Sequence, residues 1–192
     1  MRHLKNVVHT IGFGLLVYFL GMIFLGRLTE PVEYWIKHSG EYAIWFLLAS
    51  LAVTPVKLLF QWKVQAFRRV LGLWSFFWAI VHVGGYLTFD QAWDISDIIN
   101  DALKRPYILV GWLSFVLITL LGVTSFSYFI KKVGKHWTRI HQLVYLLGIL
   151  VVGHVLLLKS SKHLWADPLT YGIMFIILMF VRWLFNAKPF KK

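Results

Sequence analysis

Six apolar runs long enough to cross a bilayer, a mean hydropathy of +0.69 with 15% charged residues, and basic and acidic residues that alternate from loop to loop predict an all-α integral membrane protein, a six-transmembrane-helix bundle. The runs lie near 10–28, 41–60, 70–89, 107–130, 138–158 and 167–186, each close to the ~20 residues that a hydrocarbon core requires. Backbone groups in lipid must be satisfied within each helix, and the short loops leave no soluble unit over, so residues 1–192 read as a single domain.

Taken in order, the first run follows the basic segment RHLKNVVH and imitates a signal peptide, but no small-residue cleavage site follows Gly26. It reads as an uncleaved anchor. The second holds Thr54-Pro55 and should kink there, since proline removes a helical hydrogen bond and the threonine hydroxyl can re-satisfy a freed carbonyl. The third, behind Arg68 and Arg69, contains His82, and the fourth ends in a basic loop. The fifth, behind Arg139, contains His141 and His154, and the sixth carries Arg182 near its end.

The charges orient these runs. Fourteen of the twenty Lys and Arg lie in four places: Arg2 and Lys5 at the start; Lys57, Lys63, Arg68 and Arg69 around the second loop; Lys131, Lys132, Lys135 and Arg139 in the fourth; Arg182, Lys188, Lys191 and Lys192 at the end. All eight acids, Glu30, Glu33, Glu41, Asp90, Asp94, Asp97, Asp101 and Asp167, fall in or beside the other three loops. The positive-inside rule makes both termini cytoplasmic and turns the acidic loops outward. The net charge of +12 comes in clusters between apolar runs, a pattern that argues against a nucleic-acid partner.

With no cysteine, the chain excludes disulfides, iron–sulfur clusters and thiolate sites, so any redox chemistry must rest on a bound cofactor with histidine as the strong nitrogen ligand. The many aromatic residues suit headgroup-level anchors and cofactor walls, or an aromatic core. Of eight histidines, His3, His9, His38 and His163 lie in loops or at span ends, and His136 in a basic loop. His82, His141 and His154 remain inside spans, where an ionisable residue is a functional candidate. For each alone, an interhelical packing bond is the alternative.

Depth decides which can meet. Counted from Arg69 and Arg139 at about 1.5 Å per residue, His82 and His154 lie roughly 20 and 22 Å above the basic surface, and His141 roughly 3 Å. Two imidazoles level on separate helices suit haem, with iron taking one nitrogen from each side. Gly84 and Gly85 beside His82, and Gly148 and Gly153 beside His154, would admit a porphyrin, or simply let helices pack closely. Zinc is the competing metal, but it wants four ligands and no acid or cysteine is expected at that depth. Thirteen residues turn an ideal helix so that His141 and His154 stand roughly 140° apart. They share a face only if the helix bends near Gly148 or Gly153; otherwise His141 faces another cofactor, flavin or quinone, near the basic surface.

The order VTP (53–55), RRVLGL (68–73), His82, RPYI (105–108), TS (124–125), WTRIHQLVY (137–145) and His154 resembles the MsrQ family, also called YedZ. More distantly it is similar to the ferric-reductase-like transmembrane domain of NADPH oxidases and metalloreductases. The resemblance implies a b-type cytochrome of the bacterial cell inner membrane, an electron-transfer subunit rather than the catalytic one. Its implied partner is MsrP, a periplasmic molybdenum-containing methionine sulfoxide reductase that repairs oxidised proteins. Electrons would come from quinol or a cytoplasmic flavin reductase, through haem b, with FMN as a further cofactor. The family's three histidines fall on His82, His141 and His154. NADPH oxidases have a second histidine earlier on the third helix, where this chain has Arg68 and Arg69, which does not favour a second haem. The alternatives are a membrane ferric or quinone reductase with another acceptor, and a non-redox membrane scaffold. The basic loops around Arg68 and Arg69 suit a flavin or lipid phosphate, and the acidic loop from Asp90 to Arg105 is the expected docking place for the outer partner.

Overall fold

The computed structural model describes residues 2–26, 28–160 and 166–186, and among them every regular element is helical. Helix α1 spans Arg2–Phe24, α2 Pro31–Phe60, α3 Gln65–Gly85, α4 Ile95–Lys104 and α5 Pro106–Val123. Then come α6 Ser127–Val133, α7 Trp137–Gln142, α8 Val144–Ser160 and α9 Ala166–Asn186. Five stretches are long and apolar enough to cross a bilayer, Asn6–Phe24, Pro31–Phe60, Gln65–Asp90, Pro106–Val123 and Pro168–Phe185; the bent pair Ser127–Gln142 and Val144–Leu158 makes a sixth if it counts as one broken span. His163 lies outside the described residues.

Four expectations change. Helix α2 begins at Pro31, whose missing N–H costs nothing in a first turn, ten residues before the expected start, and Pro55 lies inside it. Its 30 residues include Glu33, Lys37, His38 and Glu41, which dilute the hydropathy without stopping the helix, so Glu41 sits well inside a span and not at a loop edge. The run expected over 107–130 ends at Val123, because the Thr124 and Ser125 hydroxyls turn back onto the carbonyls of Leu120 and Leu121 at 2.7 and 2.8 Å and the chain turns there.

The fifth run is broken. Leu143 donates its N–H to the carbonyl of Ile140, a tight three-residue turn, and the segments on either side meet at 41°. The bend therefore falls at Leu143, not at Gly148 or Gly153; Gly148 is instead pressed against the ring of Phe175. Finally, the loop expected between Asp90 and Arg105 is largely α4. Asp94 caps it, accepting from the N–H groups of Ser96 and Asp97 at 2.8 and 3.2 Å. Ile95, Ile99 and Leu103 form an exposed apolar stripe along it.

Two hairpins organise the bundle, α2 against α3 and α5 against α8, with α9 packed on α2 and α8. The α2–α3 seam repeats every seven residues. His82 Nδ1 donates to the Ile36 carbonyl at 2.8 Å, Ser75 Oγ to Ala43 at 2.8 Å, and Ser50 Oγ to Arg68 at 3.0 Å. Seven residues are about two turns, so these bonds recur along one face of each helix, and the small side chains of Ser50 and Ser75 let the backbones approach. Phe19, Phe46, Trp74 and Trp78 fill the space between α1, α2 and α3, and Leu47, Leu51, Ile118, Leu121, Leu147 and Phe175 fill that between α2, α5, α8 and α9. In lipid, such contacts hold helices by dispersion more than by expulsion of water. Below, the end of the bundle with Glu30, Asp90 and α4 is called the acidic end, and the end with Arg68, His141 and Arg182 the basic end.

Candidate functional site

The two hairpins meet at a pair of histidines. The rings of His82 on α3 and His154 on α8 have centroids 6.4 Å apart with planes at 80°. Each ring is anchored on the helix opposite it in its own hairpin: His82 Nδ1 on the Ile36 carbonyl at 2.8 Å, His154 Nδ1 on the Tyr107 carbonyl at 2.7 Å. A carbonyl only accepts, so Nδ1 carries the proton in both rings and Nε2 is left with its lone pair. The two free nitrogens belong to rings that face each other across the seam.

Both rings rest on glycine. A β-carbon at Gly40 would stand 3.0 Å from His82 Nδ1, and one at Gly111 2.9 Å from His154 Cε1. Each glycine lies four residues after the anchoring carbonyl, Ile36 to Gly40 and Tyr107 to Gly111, hence one turn along the same helix. The same device is built twice, carbonyl to fix the ring and glycine to make room for it. Of the glycines that sequence singled out, a β-carbon at Gly84 or Gly153 would meet nothing within 4 Å beyond its own helix, and one at Gly85 would meet Trp35.

A cavity of about 760 Å³ surrounds the pair. Its walls toward the basic end are apolar, with Leu47, Ala79, Phe115, Ile118, Leu147 and Val151, and its mouth at the acidic end carries Glu30, Glu33, Lys37, Asp90 and Arg105. Such a volume, apolar inside and charged at one rim, is the form of a cofactor site. Interaction with the neighbouring Glu33 carboxyl raises the Glu30 carboxyl above its ordinary value.

The donor set fits the sequence-expected group. Two imidazoles that each place a nitrogen about 2 Å from one metal ion lie roughly 6 Å apart centre to centre. Among the described residues no three His, Asp or Glu side chains come together to hold a metal, so the competing zinc geometry is not assembled. An acid does lie near the pair, contrary to expectation: Glu41 lines the cavity next to Gly40, and its carboxylate accepts from His38 Nδ1 at 2.8 Å. Neither residue stood out in the sequence, because the start of α2 reads as a loop by hydropathy alone.

His141 is elsewhere. It stacks on Trp137 with centroids 4.1 Å apart, and its Nε2 lies 3.2 Å from the Thr124 hydroxyl, at the basic end on α7. The acidic residues expected to receive a partner are partly occupied within the chain. Asp94 is the α4 cap, and Asp101 accepts from the Tyr86 hydroxyl at 2.8 Å and from Gln91 at 3.2 Å while pairing with Arg105 at 3.0 Å.

A family model described as ferric reductase like transmembrane component matches residues 39–152, a segment that holds Gly40, His82, Gly111 and His141 and stops two residues short of His154. The chain is 36% identical over 156 residues to the protein-methionine-sulfoxide reductase heme-binding subunit MsrQ of Herminiimonas arsenicoxydans, covering 80% of this chain and 72% of that one. It is also 36% identical over 156 residues to the same subunit of Caulobacter vibrioides, covering 80% and 73%. The magnetosome protein MamZ of Magnetospirillum gryphiswaldense is 37% identical over 160 residues, which are 82% of this chain and 24% of that much longer one. No solved structure matches the chain.

Proposed function

The chain belongs to the MsrQ family of ferric-reductase-like transmembrane proteins, and from that premise we propose that it is the membrane redox subunit of a methionine sulfoxide reductase, holding haem b between His82 and His154. The observation that carries this reading is the pair of imidazoles 6.4 Å apart, each with Nδ1 held by a carbonyl. When bound, haem supplies a one-electron iron couple. The chain presents two neutral imidazole nitrogens from opposite sides, fixes both rings from behind, and keeps water out with apolar walls. His82 and His154 would together hold the iron as two imidazole ligands, a set that would suit passing electrons and not activating a ligand.

The acceptor in this reading is a periplasmic molybdenum-containing enzyme of the MsrP kind, met at the acidic end, with both termini cytoplasmic. Quinol or a cytoplasmic flavin reductase supplies the electrons, and FMN is the additional cofactor carried over from the family. Arg68 and Arg69 at the basic end are the cations on hand for its phosphate. His141 belongs to this entry side, stacked on Trp137 and apart from the histidine pair.

The test is a spectrum followed by a transfer. Protein purified from haem-replete cells is expected to show a low-spin bis-imidazole spectrum, and its pre-reduced form to be re-oxidised by an MsrP-type reductase with substrate in stopped flow. A colourless protein refutes the haem site, and a coloured one that this reductase never oxidises refutes the acceptor.

A further inference from the structure

Arg182 is the cation that the fold treats least like the others. It lies on α9 with 6% of its surface exposed, while the basic residues of the loops are largely in contact with water. Its Nη1 donates to the Tyr145 hydroxyl at 2.6 Å, and its Cζ stands 5.2 Å from the centre of that ring. Among the described residues Nε and Nη2 have no hydrogen-bond partner, although both are buried. These two N–H groups lie on one edge of the guanidinium, parallel and spaced to meet two oxygens of a single oxyanion. Buried donors of a charged group are rarely left unmade.

Among the described residues no carboxylate side chain meets these two N–H groups. The seven acids whose side chains are described lie toward the acidic end, and the position of Asp167 on α9 is fifteen residues from Arg182, roughly 22 Å along the helix. The neighbouring charge that acts on Arg182 is another cation, Arg68, which also acts on His141. Arg68 is half-buried. Tyr145 accepts from Arg182 through its oxygen, which leaves its own O–H to donate to a third oxygen. Three donors backed by a second cation suit a tetrahedral group better than a planar carboxylate.

We propose that the free Nε–Nη2 edge of Arg182, with Tyr145 and Arg68, is a binding site for the phosphate of a ligand from outside the chain. The phosphate belongs either to a lipid headgroup or to a soluble phosphate monoester such as a flavin nucleotide. The site is separate from the histidine pair and stands whether or not that pair holds haem.

The experiment uses the full chain in a phosphate-free sugar detergent. Calorimetric titrations compare riboflavin 5′-phosphate with riboflavin, and phosphatidylglycerol with diacylglycerol in mixed micelles. The wild type is expected to prefer one phosphate ligand over its phosphate-free counterpart by at least about tenfold, the scale of charge-assisted paired bonds. Preference in the flavin arm assigns the site to a cofactor, and preference in the lipid arm assigns it to a headgroup. Arg182→Gln removes the preference, and Arg182→Lys, which keeps the charge but not the fork, retains only part of it. No preference in either arm overturns the proposal, as does a full preference in a folded Arg182→Gln. Should Arg182→Gln not fold, Tyr145→Phe deletes one donor and keeps the guanidinium; an unchanged preference there also overturns the proposal.

Discussion

At the acidic end, His82 and His154 each give one ring nitrogen to a backbone carbonyl and turn toward each other beside a roomy cavity. At the basic end, His141 is packed on Trp137 and Thr124, and Arg182 is walled in with two donors unmet. In the proposed reading the first region receives a metal centre between its two imidazole Nε2 atoms. The second has surplus donors and surplus positive charge, so it calls for an anion. About 14 residues of α3 separate Arg68 from His82, or roughly 21 Å. A histidine inside a span is therefore not defined by its depth alone; what its second nitrogen touches decides whether it is a ligand or a packing group.

The strongest break in this comparison comes from His82→Ala and His154→Ala, each of which should abolish the chromophore, measured as haem per protein by the pyridine haemochrome method. If both variants keep a full load and the wild-type spectrum, the acidic-end pair is not the haem site. Next in size are Gly40→Val and Gly111→Val. Their β-carbons would stand 3.0 and 2.9 Å from the imidazoles, and overpacking of about 1–3 kcal/mol should lower haem occupancy roughly tenfold or more. Gly84→Ala and Gly153→Ala, with nothing within 4 Å, should leave it unchanged, so equal losses in all four would remove any special role for the cradle glycines.

A smaller effect is expected at the basic end, where His141→Ala should keep the spectrum and slow reduction of the chromophore by its donor in stopped flow. Loss of haem in this variant with retention in His154→Ala would exchange the roles of the two regions. The least effect belongs to α4: Asp94→Ala removes a cap worth about 1 kcal/mol, to be read as a small drop in melting temperature without loss of colour. Asp97→Lys leaves that capping side chain in place, so it is the cleaner probe of docking. It should slow delivery to an outer partner more at low salt than at high salt.

Much of this was legible from residue order. The levels of His82 and His154 follow from counting along helices from Arg69 and Arg139, because rise per residue is fixed. Gly40 and Gly111 were not legible, since the contact that gives each its purpose crosses to another helix and leaves no spacing along its own. The break at Leu143 has no proline or glycine to announce it, only a local tightening of hydrogen bonds. Helix α4 was readable in principle, as Asp94 followed by isoleucines and a leucine at helical spacing, but its acids made it look like a loop. Arg182 was counted as one basic residue among many; the topology rule weighs charges by position and is blind to whether a side chain turns inward.

The two imidazoles belong to different hairpins, so a group held by both joins them as a rivet joins two plates. Its affinity then becomes part of the fold's resistance to heat: free ligand at a thousand times its dissociation constant adds about 4 kcal/mol to the folded state. Insertion of α2 with α3 and of α5 with α8 would yield two locally finished halves, and cofactor capture would close the seam between them. Cofactor capture would then add to the packing that α2, α5, α8 and α9 already make across that seam, and a chain without it would hold the two hairpins together by those side chains alone.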